Sequence, residues 1–171
     1  LVSQLLILAR MDATQTMSKQ PLDLQVLVSQ ILSELAPQAL DKTIDLGLEE
    51  TTKLSLTMGN QDALSLLIRN LVDNAIRYTP AGGQVTVSLE QVKPSIVTLR
   101  VSDTGPGIPV EQRQRLFERF YRGDNHNIPG SGLGLSIAQR VAELHNMEIS
   151  MNNVSPGTGL CVSMDFVTML A

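Results

Sequence analysis

The chain has 171 residues, enough for one ordinary domain with a real core, or a domain with an appendage. Hydrophobic residues make up 43% and charged residues 18%, which argues for a globular chain; a net charge of -4 argues against nucleic acid or an anionic membrane surface as the main partner. The single cysteine, Cys161, excludes an internal disulfide and fits a reducing compartment, and with two histidines far from it in sequence it argues against a zinc site or metal cluster.

Leu1, Leu5 and Leu8, with Val2, Leu6 and Ala9, recur at helical spacing. The opening "LVSQLLILAR" lacks an initiator Met, a basic start and a small-residue cleavage site, so the reading is a chain that begins in mid-helix, a piece of something longer. "MDATQTMSKQP" predicts a linker, which divides the chain into a tail over 1–20 and a domain over 21–171. Leu24, Leu27, Val28, Ile31, Leu32 and Leu35 predict a helix over about 23–40, with Pro37 weakening its end. "TIDLGLEE" and "KLSLTM" alternate apolar and polar positions and predict two strands separated by a short turn.

From about Asn60 to Tyr78 the helical pattern returns, until "TPAGG" breaks it. "QVTVSLEQV" and "SIVTLRVSD" predict a strand pair joined at "KP". A short helix near 110–117 follows "TGPGIP", then a polar loop "RGDNHNIPGSG", then a helix over about 133–144. "MEISMNN" and "GLCVSMDFV" close the chain as a hairpin around "SPGTG". No run of about 18 apolar residues exists to span a bilayer. The expected class is α+β: a two-layer α/β sandwich, a mixed sheet packed on three helices, with a residual N-terminal helix.

Three stretches carry chemistry. In "NLVDNAIRY" Asn70 and Asn74 share one helix face with Arg77 and Tyr78. Asparagine is a poor choice there unless its amide is used, and an amide oxygen suits Mg²⁺; the plain alternative is a solvated face. In "DTGPGIP" Asp103 can accept from an exocyclic amine while Gly105 and Gly107 admit a ligand close to the backbone, or the stretch is simply a tight turn. "GSGLGLSIAQR" puts glycines before an apolar helix, a seat for phosphate or a flexible loop capped by Ser131. It is neither a Walker loop nor a dinucleotide fingerprint.

In this order "NLVDNAIRY", "DTGPGIP", "LFERFYR" and "GSGLGLSI" resemble the N, G1, F and G2 boxes of bacterial sensor histidine kinases of two-component systems. That family belongs to the superfamily of gyrase-, Hsp90- and MutL-type ATP-binding domains with the Bergerat-type fold. The resemblance spans about residues 60–145. It implies ATP and Mg²⁺ as ligands, with Asn74 holding the metal, Asn70 one turn earlier near the phosphates and metal-bound water, and Arg77 reaching the phosphates. These three are the implied catalytic residues. Tyr78 would pack on adenine, Asp103 would read its amino group, and Gly105, Gly107 and Ile108 would shape the adenine pocket. Gly130, Ser131, Gly132, Leu133, Gly134 and Leu135 would form the second glycine box. Between Glu118 and Ser131 would lie a lid anchored by Phe117 and Phe120, with Phe120, Tyr121 and Arg122 as further nucleotide contacts. Core packing alone is the other reading of Phe117.

Hydrolysing relatives carry glutamate at the position matching Asn70. Asparagine cannot take a proton at neutral pH, so the resemblance implies a phosphoryl donor rather than a hydrolase. Neither His126 nor His145 stands in the family's acceptor context; His145 ends a helix, where a cation suits the dipole, and reads as structural. "LVSQLLILARMD" resembles the close of the second helix of the dimerisation hairpin, so the acceptor histidine is expected upstream. The implied partners are a second copy of the chain through that hairpin and a response regulator, at the cytoplasmic face of the inner membrane. An anti-sigma-type serine kinase, or a nucleotide-sensing or scaffolding module, are the competing readings.

Overall fold

The first long helix starts where Asp23 offers its carboxylate to the amides of Gln25 (2.9 Å) and Val26 (3.4 Å), satisfying donors that a helix start leaves open. This helix, α1 (Leu24–Asp41), buries Leu24, Leu27, Val28, Ile31, Leu32, Leu35 and Ala39 along one stripe. The computed structural model describes residues 2, 6, 9, 17–50, 56–121, 130–155 and 158–169. α2 (Gln61–Tyr78) is capped by Asn60, whose side chain accepts from the Ala63 amide at 3.0 Å. A single turn α3 (Val110–Arg113) runs into a 3-10 turn at Gln114–Phe117, and α4 (Gly134–Leu144) packs alongside α2.

Opposite these helices lies one five-stranded mixed sheet. Its strands are β2 (Asp45–Glu50), β4 (Gln84–Lys93), β5 (Ile96–Asp103), β6 (Ser150–Ser155) and β7 (Thr158–Val167), in the order β2-β4-β5-β7-β6. Only β2 and β4 pair in parallel. Alternation decides which face is covered: Val85, Val87 and Leu89, Val97, Leu99 and Val101, and Leu160, Val162, Met164 and Phe166 are buried towards the helices. The intervening Arg100, Ser102, Ser163 and Asp165 sit on the open face. The α+β two-layer class is therefore observed, with a second, two-stranded sheet of β1 (Gln20–Asp23) against β3 (Leu56–Gly59).

α1 keeps the span expected of it, passing Pro37 and continuing to Asp41. Proline removes one bond of the ladder, while burial of Ala39 keeps the last turn against the core. The two strands expected on either side of a short turn are present but lie in different sheets: β2 pairs with β4 after a crossover through α2, the connection parallel strands need. Ahead of β1, Met17 packs on the core and Asn60 Nδ2 donates to the Ser18 carbonyl at 3.1 Å. Val2, Leu6 and Ala9 are helical and exposed; the rest of 1–16 lies outside the described residues. No helix among the described residues is long and apolar enough to cross a membrane.

Candidate functional site

Between the end of β5, the second half of α2 and the start of α4 the structure opens a cavity of about 370 Å³, within the usual range of small-molecule sites. Helical spacing puts Asn70, Asp73, Asn74, Arg77 and Tyr78 on its α2 wall. Asn70 Nδ2 donates to the Leu66 carbonyl at 2.8 Å, which leaves the amide oxygen directed across to Gly134: a Cβ there would lie 3.0 Å from it. Gly130 meets Arg77 in the same way, with Nη1 2.8 Å from where its Cβ would stand. Side chains of α2 thus occupy the space that a side chain at Gly130 or Gly134 would need, and glycine is what lets them.

That stretch leads into α4. Ser131 Oγ accepts from the Leu133 amide at 3.3 Å, and Ser131, Gly132, Gly134 and Leu135 line the cavity beside the positive end of the helix. Gly132, at φ +69, accepts from the Phe120 amide at 2.9 Å and has Phe120 carbons within 2.8 Å of any added Cβ. Phe120 itself stands at φ +66 and is 57% exposed, a conformation an aromatic residue adopts only when its surroundings impose it.

At the other end sits Asp103, 8% exposed at the close of β5. Its Oδ1 accepts from the amides of Gly105 (2.8 Å) and Leu160 (3.2 Å); among the described residues no donor meets Oδ2. Burial pushes the carboxyl above its usual range, and the two amide bonds offset this only in part. The following turn is fixed from the sheet: the Gly159 amide donates to the Gly105 carbonyl at 2.7 Å, and Asn153 Oδ1 accepts from the Ile108 amide at 3.1 Å. Arg113 adds bonds to the carbonyls of Ile108 and Met151.

Of the residues singled out in the sequence, Asn70, Asn74, Arg77, Tyr78, Asp103, Gly107, Ile108, Tyr121, Gly130, Ser131, Gly132, Gly134 and Leu135 line this cavity. Leu133 does not: its side chain is fully buried in the core. Gly105 lies behind the wall, against the Tyr78 carbonyl, and Phe120 is turned outward, while Tyr121 stacks beneath Arg115. Phe117 is half-buried against the core. Arg122, His126 and most of the expected lid lie outside the described residues.

His145 is buried, and its cationic reading is corrected. Nε2 accepts from the Asn60 amide at 3.0 Å, so the proton is on Nδ1, which donates to the Val141 carbonyl at 2.8 Å. The ring is neutral, and burial holds its pKa below the usual value.

Sequence reasoning missed several contributors. Leu160, Gln112, Leu116 and Asp73 line the cavity. Lys42 caps α2 behind Tyr78, its Nζ donating to the carbonyls of Ile76 (2.8 Å), Arg77 (2.9 Å) and Thr79 (2.7 Å). A lysine at the end of an amphipathic helix gives no signal of such a role. Among the described residues no cluster of histidine, cysteine or carboxylates could hold a metal unaided.

Comparison with known proteins gives this arrangement a context. The family model described as "Histidine kinase-, DNA gyrase B-, and HSP90-like ATPase" matches residues 59–168. The sensor protein kinase PmrB of Pseudomonas aeruginosa is 43% identical over 166 residues, 96% of this chain and 34% of its own length. The sensor protein QseC of Salmonella typhi is 38% identical over 158 residues, 92% of this chain and 34% of its own. The chain thus spans about a third of the length of these curated relatives. Among solved structures, full-length ShkA in complex with AMPPNP superposes with a TM-score of 0.87 at 27% identity, over 99% of this chain and 36% of that one.

Proposed function

Because the chain belongs to the histidine kinase-, DNA gyrase B- and HSP90-like ATPase family, we propose that its cavity binds Mg-ATP and presents the γ-phosphoryl group to a histidine, as the catalytic domain of a sensor kinase. The observation that carries this reading is the gathering of Asn74, Asp103 and Gly132, from three distant segments, around one cavity.

Each end suits one part of the nucleotide. Asp103 Oδ2 accepts the exocyclic amine of adenine, and Tyr78, Ile108 and Leu160 flank the base. Asn74 would hold the magnesium ion, and Asn70, one turn back on the same wall, would face the phosphates. The donor set fits: amide oxygens are hard neutral ligands, and the Asn70 oxygen is free to face the cavity because its nitrogen is bonded to Leu66. Magnesium supplies neutralisation of the phosphate charge. Arg77 and the amides at the start of α4 take the phosphate oxygens. Asn70 accepts no proton, so it cannot activate water, and the γ-phosphoryl group is kept for another nucleophile. The domain then acts by positioning and charge rather than by covalent help.

The acceptor belongs to another segment. His145 is buried with both ring nitrogens bonded, which disqualifies it as a nucleophile. In this reading residues 1–20 are the tail of a dimerisation hairpin that carries the acceptor and joins two copies. The phosphoryl group then passes to a response-regulator aspartate, at the cytoplasmic face of a bacterial inner membrane. The names and greater length of the sensor-protein relatives support this setting.

Titration of the chain with a fluorescent ATP analogue, with and without Mg²⁺, tests the site. Binding should tighten with the metal, and Asn74→Ala should remove roughly a tenfold gain, the equivalent of one lost ligand bond. Binding that ignores the metal would point to a nucleotide-sensing scaffold instead. Labelled ATP with a separate acceptor hairpin tests transfer.

A further inference from the structure

Among the described residues α1 gives no side chain to the cavity wall, yet its last turns reach the phosphate end indirectly. Gln38 Nε2 donates to Asp73 Oδ1 at 2.8 Å, across the packing of α1 on α2. Asp73 Oδ2 accepts from Arg77 Nη2 at 2.7 Å, one turn further along α2. The other arm of the guanidinium, Nη1, lies against Gly130. Asp73 and Arg77 are both partly buried and both line the cavity.

A carboxylate in the wall of a triphosphate site is at first sight a liability, since like charges repel. Its two bonds give it a purpose. Arginine is long and loses much rotamer freedom when held, but a planar fork tied at one edge keeps a fixed direction. A carboxylate that could itself rotate would hold that fork poorly, and Gln38 prevents the rotation by engaging the opposite oxygen. Gln38 also lies outside residues 59–168, the span that matches the family model, so the preceding helix contributes it.

We propose that Gln38 and Asp73 are positioning residues for the phosphate chain: Gln38 fixes one oxygen of Asp73 so that the other orients Arg77 at the base of the second glycine stretch. The inference rests on the nucleotide reading above and deepens it.

Gln38 is the informative position, because its removal changes no charge at the site. Affinities for adenosine, ADP and a non-hydrolysable ATP analogue, all with Mg²⁺, are measured on the 171-residue chain and on Gln38→Ala, Asp73→Ala and the double variant. Gln38→Ala should keep adenosine affinity and weaken the analogue by about three- to tenfold, the loss expected for one orienting hydrogen bond. In the Asp73→Ala background it should change nothing further. Adenosine and analogue affinities that fall in parallel, additive effects in the double variant, or unchanged analogue binding by Gln38→Ala overturn the proposal. An unaltered chain that binds neither nucleotide overturns the nucleotide reading and this inference together.

Discussion

At one end of the cavity Asp103 is held by main chain, through the amides of Gly105 and Leu160, while at the other Arg77 is held by a side chain, the carboxylate of Asp73. The first end is therefore part of the fold. Gly159 donates to the Gly105 carbonyl, and Asn153 holds Ile108, so β5, β6 and β7 must pair before the turn exists. The second end is assembled on a finished helix by groups at the tips of side chains. Damage to the backbone of the first end should cost stability, whereas damage to the side-chain bracing of the second should cost ligand affinity.

Glycine substitutions give the largest contrast. At Gly159 the backbone is at φ +63, and a Cβ would stand 2.6 Å from the Asp103 carbonyl oxygen, a main-chain atom that cannot step aside. Gly159→Ala should lower the unfolding free energy by about 3 kcal/mol, combining left-handed strain with overlap. At Gly130 the obstruction is Arg77 Nη1, the far end of a flexible side chain. Gly130→Ala should therefore change stability by no more than about 0.5 kcal/mol, as surface substitutions do, and weaken phosphate binding instead. Urea denaturation of both variants checks the difference, and equal stability losses would erase the distinction between the ends.

Asp103 sharpens the comparison, because there affinity and stability should move in opposite directions. Asp103→Asn keeps an oxygen for the Gly105 and Leu160 amides and removes a buried charge, but it turns a donor towards the cavity where an acceptor stood. Adenosine affinity should fall about tenfold to a hundredfold, the loss of a hydrogen bond to a charged group. Stability at neutral pH should hold or rise, since burial of the carboxylate is the main cause of its raised pKa. Calorimetric titration and a urea curve on the same preparation decide it; a variant that loses both together would mean the carboxylate is chiefly structural.

The same division explains what the sequence made legible. The Asn70, Asn74, Arg77 and Tyr78 face could be read from spacing because one helix carries all four. The glycines beside Asp103 and before α4 stood out because few residue types permit such close approach. Gly159 and Asn153 were hidden, since "SPGTG" serves a hairpin turn as well and their partners lie some fifty residues away in β5 and its turn. Lys42 and Gln38 were hidden for a similar reason: polar residues at the end of α1 become informative only once α2 lies beside them. β1 escaped notice because Pro21 reads as a break, yet in a two-stranded sheet each strand is an edge, where a residue with no N–H to donate is tolerated. The direction of the fold was written in local periodicity, and its bracing was written in pairings that no window of sequence contains.

The smallest effect lies away from both ends, at His145, and it supplies the control for pH experiments on Asp103. The ring must be neutral to accept from the Asn60 amide at the start of α2. Burial is the largest cause of its lowered pKa; the Val141 bond opposes the shift, and the positive charge of Lys19 reinforces it. The unfolded chain should take up a proton near pH 6.5, the ordinary histidine value, before the folded chain does. This contribution to stability is thus complete above that pH and is lost as pH falls through the window beneath it, at no more than about 1.4 kcal/mol per pH unit. Asp103 runs the other way: its raised pKa makes folding more favourable as pH falls through it towards the ordinary carboxylate range. Urea midpoints followed from pH 8 down into the ordinary carboxylate range should decline through the histidine window in the unaltered chain. Asp103→Asn should decline more steeply wherever the carboxyl of the unaltered chain takes up its proton, because the opposing slope is gone. Adenosine affinity should weaken in acid only while Asp103 is present. An affinity that weakens equally in Asp103→Asn would trace the acid effect to loosening of α2 by His145, and would tie the adenine end to the helical layer as closely as to the sheet.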